Sequence, residues 1–241
     1  MHKLKSVQTN YLTKVFSGEE ALKRCNLSVN SGEIYGLLGA NGAGKTTLLK
    51  LIAGLLEPTE GNSSVMGINS HTQKFKLLKQ IGIFIETPYF YEHLPASENL
   101  SIHLAYMKAS GNVQDALNRV GLGHTGNKPV SQFSLGMRQR LGIARSIIHR
   151  PQVLLLDEPI NGLDPVAIRE MRELFVQLSK EGMTLIISSH ILSEIIQTVD
   201  RIGILMNGQL VLDENLSRLK QEHPHDLENY LISMMNGGIL C

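Results

Sequence analysis

The chain contains no tryptophan, few aromatic residues (5%) and only two cysteines, Cys25 and Cys241. Two thiols so far apart cannot build the disulfide framework that stabilises small secreted domains, and their sparing use fits a reducing compartment. Neither sign of charge dominates. Lys and Arg number 23 and Asp and Glu 22, a net charge of +1, so there is no basic field to suggest nucleic acid and no acidic field to suggest a cationic partner. No apolar run approaches the roughly 20 residues that a membrane-crossing helix needs. Polar residues follow Met1-His2-Lys3-Leu4-Lys5-Ser6, and no signal peptide reads there. Any membrane role is therefore expected to come through a partner. There is no internal repeat and no low-complexity tract. What is present is 241 residues at 42% hydrophobic content, enough to bury the core of one large domain or of a domain with a subdomain.

The most informative stretch is Gly39-Ala40-Asn41-Gly42-Ala43-Gly44-Lys45-Thr46-Thr47. It follows the apolar run Ile34-Tyr35-Gly36-Leu37-Leu38 and opens into Leu48-Leu49-Lys50-Leu51-Ile52-Ala53, a strand–loop–helix context. Gly39, Gly44, Lys45 and Thr46 match the spacing G-x-x-x-x-G-K-[ST]. Glycines let the backbone turn its N–H groups inward, where a side chain would obstruct a phosphate. The helix that follows aims its positive end at the same place. Lys45 can reach the β- and γ-phosphates, and the Thr46 hydroxyl can ligate Mg²⁺. This is a phosphate-binding loop.

Residues 1–33 read as short strands and turns, with weak alternation over Val7–Leu12 and Leu27–Val29 and turn signals at Ser17-Gly18 and Asn30-Ser31-Gly32. After the loop, Leu48, Leu51, Ile52, Leu55 and Leu56 recur at helical spacing until Glu57-Pro58. Lys74–Lys79 reads as a brief polar helix and Ile81–Ile85 as a buried strand ending at Glu86. From Thr87 to about Arg150 the pattern is helical: one helix with Ser97 as its expected N-cap, one opened by Asn112 with Asp115, one starting at Ser134. This block reads as an inserted helical subdomain. Beyond Pro151, Val153-Leu154-Leu155-Leu156 is a continuous apolar strand suited to the centre of a parallel sheet. Ala167–Lys180 reads as an amphipathic helix, Thr184–Ile187 as a strand, Ile191–Val199 as a helix, and Asn207-Gly208 as a hairpin turn. The tail from Asn215 reads as polar and helical to about Met235.

Three strand ends carry polar residues, at the place where ligands bind in open α/β sheets. Asp157 and Glu158 close the apolar strand; in phosphoryl transfer one carboxylate can hold Mg²⁺ while a second orients and deprotonates the attacking water. His190 ends the next strand and could contact a γ-phosphate. Glu86 could reach the metal.

Taken together, the phosphate loop, Leu154-Leu155-Leu156-Asp157-Glu158-Pro159, Asn161-Gly162-Leu163-Asp164-Pro165, Ser188-Ser189-His190 and Phe133-Ser134-Leu135-Gly136-Met137-Arg138-Gln139-Arg140 resemble the nucleotide-binding subunit of an ATP-binding-cassette (ABC) transporter. The resemblance covers residues 5–215 in the family's motif order. It implies a P-loop α/β fold with a mixed, mainly parallel core sheet, an N-terminal antiparallel β-subdomain and the inserted helical subdomain at about 87–150, all in one ATPase domain spanning 1–241. It further implies ATP and Mg²⁺ as cofactors, Thr46 and Asp157 (with Glu86) at the metal, Glu158 as general base and His190 as the switch histidine. Asp164 is implied at the interface of two subunits, and Phe16 as the adenine-stacking ring with Tyr11 as the fallback.

Two departures stand out. The usual Leu-Ser-Gly-Gly-Gln signature reads Phe133-Ser134-Leu135-Gly136-Met137, keeping Ser134 and Gly136 for a γ-phosphate but replacing a polar contact with Met137. The usual Gln after the Ile81–Ile85 strand is Glu86. Both resemble the bacitracin-type and lantibiotic self-immunity branch, which exports antimicrobial peptides. The resemblance thus implies a head-to-tail dimer, homo- or heteromeric, in which Ser134, Gly136 and Met137 of one copy complete the site of the other. It also implies transmembrane permease subunits that handle the peptide, and a position on the inner face of the cell membrane. A drug or lipid as the exported substrate, or a soluble cassette acting on DNA or ribosomes, stays open as an alternative.

Overall fold

The computed structural model describes residues 4–86 and 88–235. Thr87, where the helical block was expected to begin, and residues 236–241 at the end of the tail lie outside them. The chain runs β1 (Lys5–Phe16), β2 (Glu19–Cys25), β3 (Ser28–Asn30), β4 (Ile34–Leu38), α1 (Lys45–Ile52), β5 (Glu60–Val65), β6 (Ile68–Asn69), α2 (Lys74–Leu78) and β7 (Ile81–Phe84). Helices α3 (Ala96–Met107), α4 (Val113–Arg119) and α5 (Leu135–Ile147) follow, then β8 (Val153–Asp157), α6 (Pro165–Lys180), β9 (Thr184–Ser189) and α7 (Leu192–Ile195). The hairpin β10 (Arg201–Met206) and β11 (Gln209–Asn215) leads to α8 (Leu216–Glu222) and α9 (Leu227–Met235).

Strands β1, β2, β3, β5 and β6 form one antiparallel sheet, and β11-β10-β4-β9-β8-β7 the other, parallel except for β11. The α/β architecture inferred from the motifs is therefore the one observed. The apolar run of β8 has a simple cause: Val153 and Leu155 face α1 and the antiparallel sheet, whereas Leu154 and Leu156 face α5 and α6. Both faces are covered, so period-two alternation gives no polar side. Helix α1 is packed between the two sheets through Leu48, Leu49, Leu51 and Ile52, each worth about 1.5–3 kcal/mol of buried apolar surface. That anchorage fixes the loop in front of it.

Several element boundaries differ from the sequence reading. Helix α3 starts two residues earlier than a Ser97 cap would allow; its N-cap is Pro95, which makes no side-chain cap bond. Helix α6 starts at Pro165 because Asp164 accepts the N–H of Ala167 and Pro suits the first helical position. Helix α7 is four residues long, not nine. Strand β2 had no apolar signature, since only Leu22 and Cys25 of its residues are buried. The tail is less polar in effect than in composition. Leu216, Leu219 and Leu231 are buried in the core, and α9 packs on α7 and β10. The His223-Pro224-His225 segment separates α8 from α9, with the His223 ring stacked on Tyr230 at 3.9 Å.

Candidate active site

The phosphate loop joins β4 to α1, with Gly44 as helix N-cap at φ 106° and Gly42 at φ 82°. Both values favour glycine. Packing adds a second reason for two of the glycines. A Cβ on Gly44 would lie 2.5 Å from the Ala21 carbonyl oxygen of β2, and one on Gly39 would lie 2.4 Å from that of Leu205 in β10. The loop is thus clamped by the β1–β2 hairpin on one side and the β10–β11 hairpin on the other, where the Gly208 N–H also donates to the Ala43 carbonyl at 3.0 Å. Ala40, Asn41 and Gly42 remain exposed at the rim, and Thr47 is half-buried.

Lys45 is only 6% exposed. Its Nζ donates to the carbonyls of Gly39 at 2.6 Å and Ala40 at 3.2 Å, and lies 3.5 Å from Glu158 Oε1. Thr46 Oγ1 donates to Asp157 Oδ2 at 2.6 Å. The other carboxylate oxygen of Asp157 accepts the hydroxyl of Ser188 at 2.5 Å, and the same Ser188 oxygen accepts the Glu158 N–H at 3.0 Å. His190 Nδ1 is 2.9 Å from Glu158 Oε2. An ionised carboxylate only accepts, so Nδ1 carries the proton in this pair. Lys45, Thr46, Asp157, Glu158 and His190, drawn from two strand ends and one helix start, form a single connected array. Its Thr46 and Asp157 oxygens are hard donors, sparse in number, of the kind that bind a small dication arriving with phosphate oxygens.

Glu158 occupies the left-handed region at φ 48°, as does Glu86 at φ 63°. Non-glycine residues hold such backbone only where the surroundings enforce it, which is common at functional sites. A cleft of about 350 Å³ connects Glu86 to Asp157 and Glu158, with Arg138, Gln139 and Asn161 across it. The carboxylate of Glu86, however, is paired with Lys50 at 2.5 Å. Lys50, on the last turn of α1, escaped the sequence reading because its partner lies 36 residues away. Beyond Glu86, Arg145 donates to the Tyr89 carbonyl at 3.1 Å and lies over the Phe90 ring at 5.1 Å. Burial holds the Arg145 guanidinium below its ordinary pKa.

The remaining candidates sit apart from this array. Ser134 caps α5, its Oγ accepting the Met137 N–H at 3.3 Å. Gly136 abuts Leu163, and Gln139 donates to the Asn161 carbonyl at 2.6 Å. Among the described residues, no hydrogen bond joins Ser134–Met137 to Gly39–Thr47. Asp164 is engaged as the cap of α6. Phe16 ends β1 at 44% exposure with Lys14 Nζ 5.0 Å from its ring centroid, and the exposed ring of Tyr11 lies under Arg24.

Comparison with known proteins agrees with this geometry. The family model described as "ABC transporter" matches residues 22–161. The bacitracin transport ATP-binding protein BcrA of Bacillus licheniformis is 44% identical over 237 residues, covering 97% of this chain and 77% of that one. The lantibiotic transport ATP-binding protein SrtF of Streptococcus pyogenes is 41% identical over 215 residues, 86% of this chain and 93% of that one. Among solved structures, the dimeric bacterial ABC transporter cassette MJ0796 superposes with a TM-score of 0.79 at 26% identity, covering 87% of this chain and 98% of that one. It is also known in a post-hydrolysis state bound to ADP and Pi. A phosphate loop wired through hydroxyl and carboxylate to a strand-end histidine, carried on this fold and matched by these relatives, places the chain in the ABC transporter family as an ATP-binding, ATP-hydrolysing subunit.

Proposed function

We propose that this subunit powers the export of an antimicrobial peptide, of the bacitracin or lantibiotic kind, and so protects the cell that makes or meets it. The observation that carries the energy-coupling half is the Lys45–Glu158–His190 array: a carboxylate held between a phosphate-gripping amine at 3.5 Å and an imidazole at 2.9 Å. The peptide half is supported by the similarity to BcrA and SrtF at 41–46% identity.

The residues divide the chemistry as follows. Loop amides and Lys45 bind the phosphates, aided by the α1 N-terminus. Thr46 and Asp157 would hold Mg²⁺, which when bound neutralises charge on the β- and γ-phosphates. Glu158 takes the proton of the attacking water, and His190 orients that carboxylate and senses the γ-phosphate. Glu86 borders the same cleft and can exchange Lys50 for the metal or its water. Phe16, exposed at the tip of the β1–β2 hairpin, offers the adenine a stacking face.

The cassette acts as a head-to-tail pair. Ser134, Gly136 and Met137 of one copy close over the nucleotide of the other, and Asp164 lies at the seam. Residues 87–150 serve as a helical insertion that, with the Glu86–Tyr91 segment, meets transmembrane permease subunits and holds the cassette at the inner face of the membrane. Among the described residues no helix is long and apolar enough to cross a membrane itself, consistent with such partners.

The test is resistance. Expressed with its adjacent membrane subunits in a sensitive host, the wild-type chain should raise the inhibitory concentration of bacitracin or a lantibiotic several-fold. Glu158→Gln should abolish that rise while still binding ATP, since a general base contributes about 10²–10⁴ in rate. Protection against lipids or drugs with none against peptides would overturn the substrate reading.

A further inference from the structure

The register of β8 on β9 sets Asp157 opposite Ser188, so both side chains leave the same face at the carboxyl end of the sheet. Ser188 is fully buried, at 0% exposure. Buried serines commonly turn their hydroxyl back on a carbonyl of their own element, as Ser146 does toward Ile143. Ser188 instead spends both its donor and its acceptor on the neighbouring strand end. It donates to Asp157 Oδ1 at 2.5 Å and accepts the Glu158 N–H at 3.0 Å. The amide it accepts belongs to a residue in the left-handed region, φ 48°, where an L-residue does not stay unaided. Asp157 itself is held between two hydroxyls, Thr46 on one oxygen and Ser188 on the other.

We propose that Ser188 is a positioning residue for ATP hydrolysis: its single hydroxyl fixes the plane of the Asp157 carboxylate and the turn that aims Glu158 at the nucleotide. This rests on the roles given above to Asp157 and Glu158. The Ser188 hydroxyl is spent on Asp157 and Glu158. It acts through those two groups, and removing it leaves Lys45 and the loop in place. Its loss should therefore appear in turnover and not in nucleotide affinity.

The test compares Ser188→Ala, Ser188→Cys and Ser188→Thr in the full-length chain. In nucleotide-free protein, hydrogen exchange at the Glu158 amide should speed up at least about ten-fold in the Ala variant, because its acceptor is gone. At saturating Mg-ATP, kcat should fall about 10–50-fold while KM stays within two-fold, the split expected when only aim is lost. Ser188→Thr, which keeps the hydroxyl, should retain kcat to within about three-fold. Ser188→Cys fills the site with a slightly larger group that bonds weakly, and should behave like Ala, so it reads the result if the Ala variant melts early. Unchanged amide exchange with kcat within two-fold of wild type, in either folded variant, would overturn the proposal. So would equal losses in Thr and Ala with KM rising in step, which would mark a packing role alone. Glu158→Gln run alongside separates the two readings. Wild-type turnover in that variant would remove Glu158 from its role, and the amide exchange would still decide whether Ser188 holds the turn.

Discussion

At the scale of single residues, the site depends on charges that are compensated locally before a nucleotide arrives. Glu86 illustrates the point. A carboxylate on the cleft wall would repel a γ-phosphate, yet this one is held by Lys50, which stands on the same helix as Lys45 and Thr46. Both side chains are too exposed for the pair to add much to stability. Its effect belongs to nucleotide handling instead. Lys50→Met should weaken ATP binding about five-fold by leaving Glu86 uncompensated, and the same substitution in a Glu86→Gln background should change affinity less than two-fold. Equal losses in both backgrounds, read by titration with a fluorescent ATP analogue, would show that the two residues act independently. Gly44 shows a different economy, since one missing Cβ permits both the turn and the approach of Ala21.

At the scale of elements, the legible parts of the sequence were those whose chemistry is contiguous in the chain. The phosphate loop, the apolar β8 ending in Asp157 and Glu158, the Asn207-Gly208 hairpin and the Asn112 and Ser134 caps each lie within a few residues, and each is found where expected. What was not legible depends on pairing across the fold. Strand β2 buries only Leu22 and Cys25 and is defined by its ladder with β1. Ser188 opposite Asp157 follows from parallel register, and α9 reads as tail until its Leu231 is seen in the core.

The contact of α3 with α5 is another pairing of this kind. His103 of α3 and His149, just past the end of α5, lie with ring centroids 6.1 Å apart, and among the described residues His103 Nε2 and His149 Nδ1 are buried without partners. Burial, then Arg145 and His149, push His103 down to about 4. Burial also lowers His149, against a bond from its ring to the Ile81 carbonyl. The folded His103 thus stays neutral while the unfolded side chain, with a pKa near 6.5, takes up a proton. Stability is fully present above about pH 6.5 and is lost as pH falls toward 4. Urea unfolding at pH 7 and pH 5 should show wild type losing about 1 kcal/mol more than His103→Gln across that interval, solvent screening at this half-buried ring reducing the full linkage effect. Parallel losses would mean that His103 is not held neutral by its packing.

At the scale of the whole molecule, the two segments proposed to close one site, the phosphate loop and the Ser134 helix start, share no hydrogen bond within the described residues of one chain. The phosphate loop is held at the junction of the two sheets, and Ser134 is held at the start of α5, where Gly136 and Gln139 rest on the segment after β8. Moving Ser134 onto its own loop would require dismantling that packing and the α5 cap, whereas a second copy can present the same residues with both folds intact. A head-to-tail pair built this way has two sites, each with a loop from one copy and a Ser134 from the other. The arrangement makes complementation an exacting test. Lys45→Ala and Ser134→Ala should each lower ATP hydrolysis at least ten-fold alone. Mixed in equal amounts, half of the pairs join one of each, and in those pairs one site combines both lesions while the other is intact. Activity should then recover to about a quarter of wild type if pairs form at random and sites act independently. A mixture no more active than its parents, despite pairing measured by sedimentation, would mean that each chain closes its own site, because only a shared site can be restored by two broken copies.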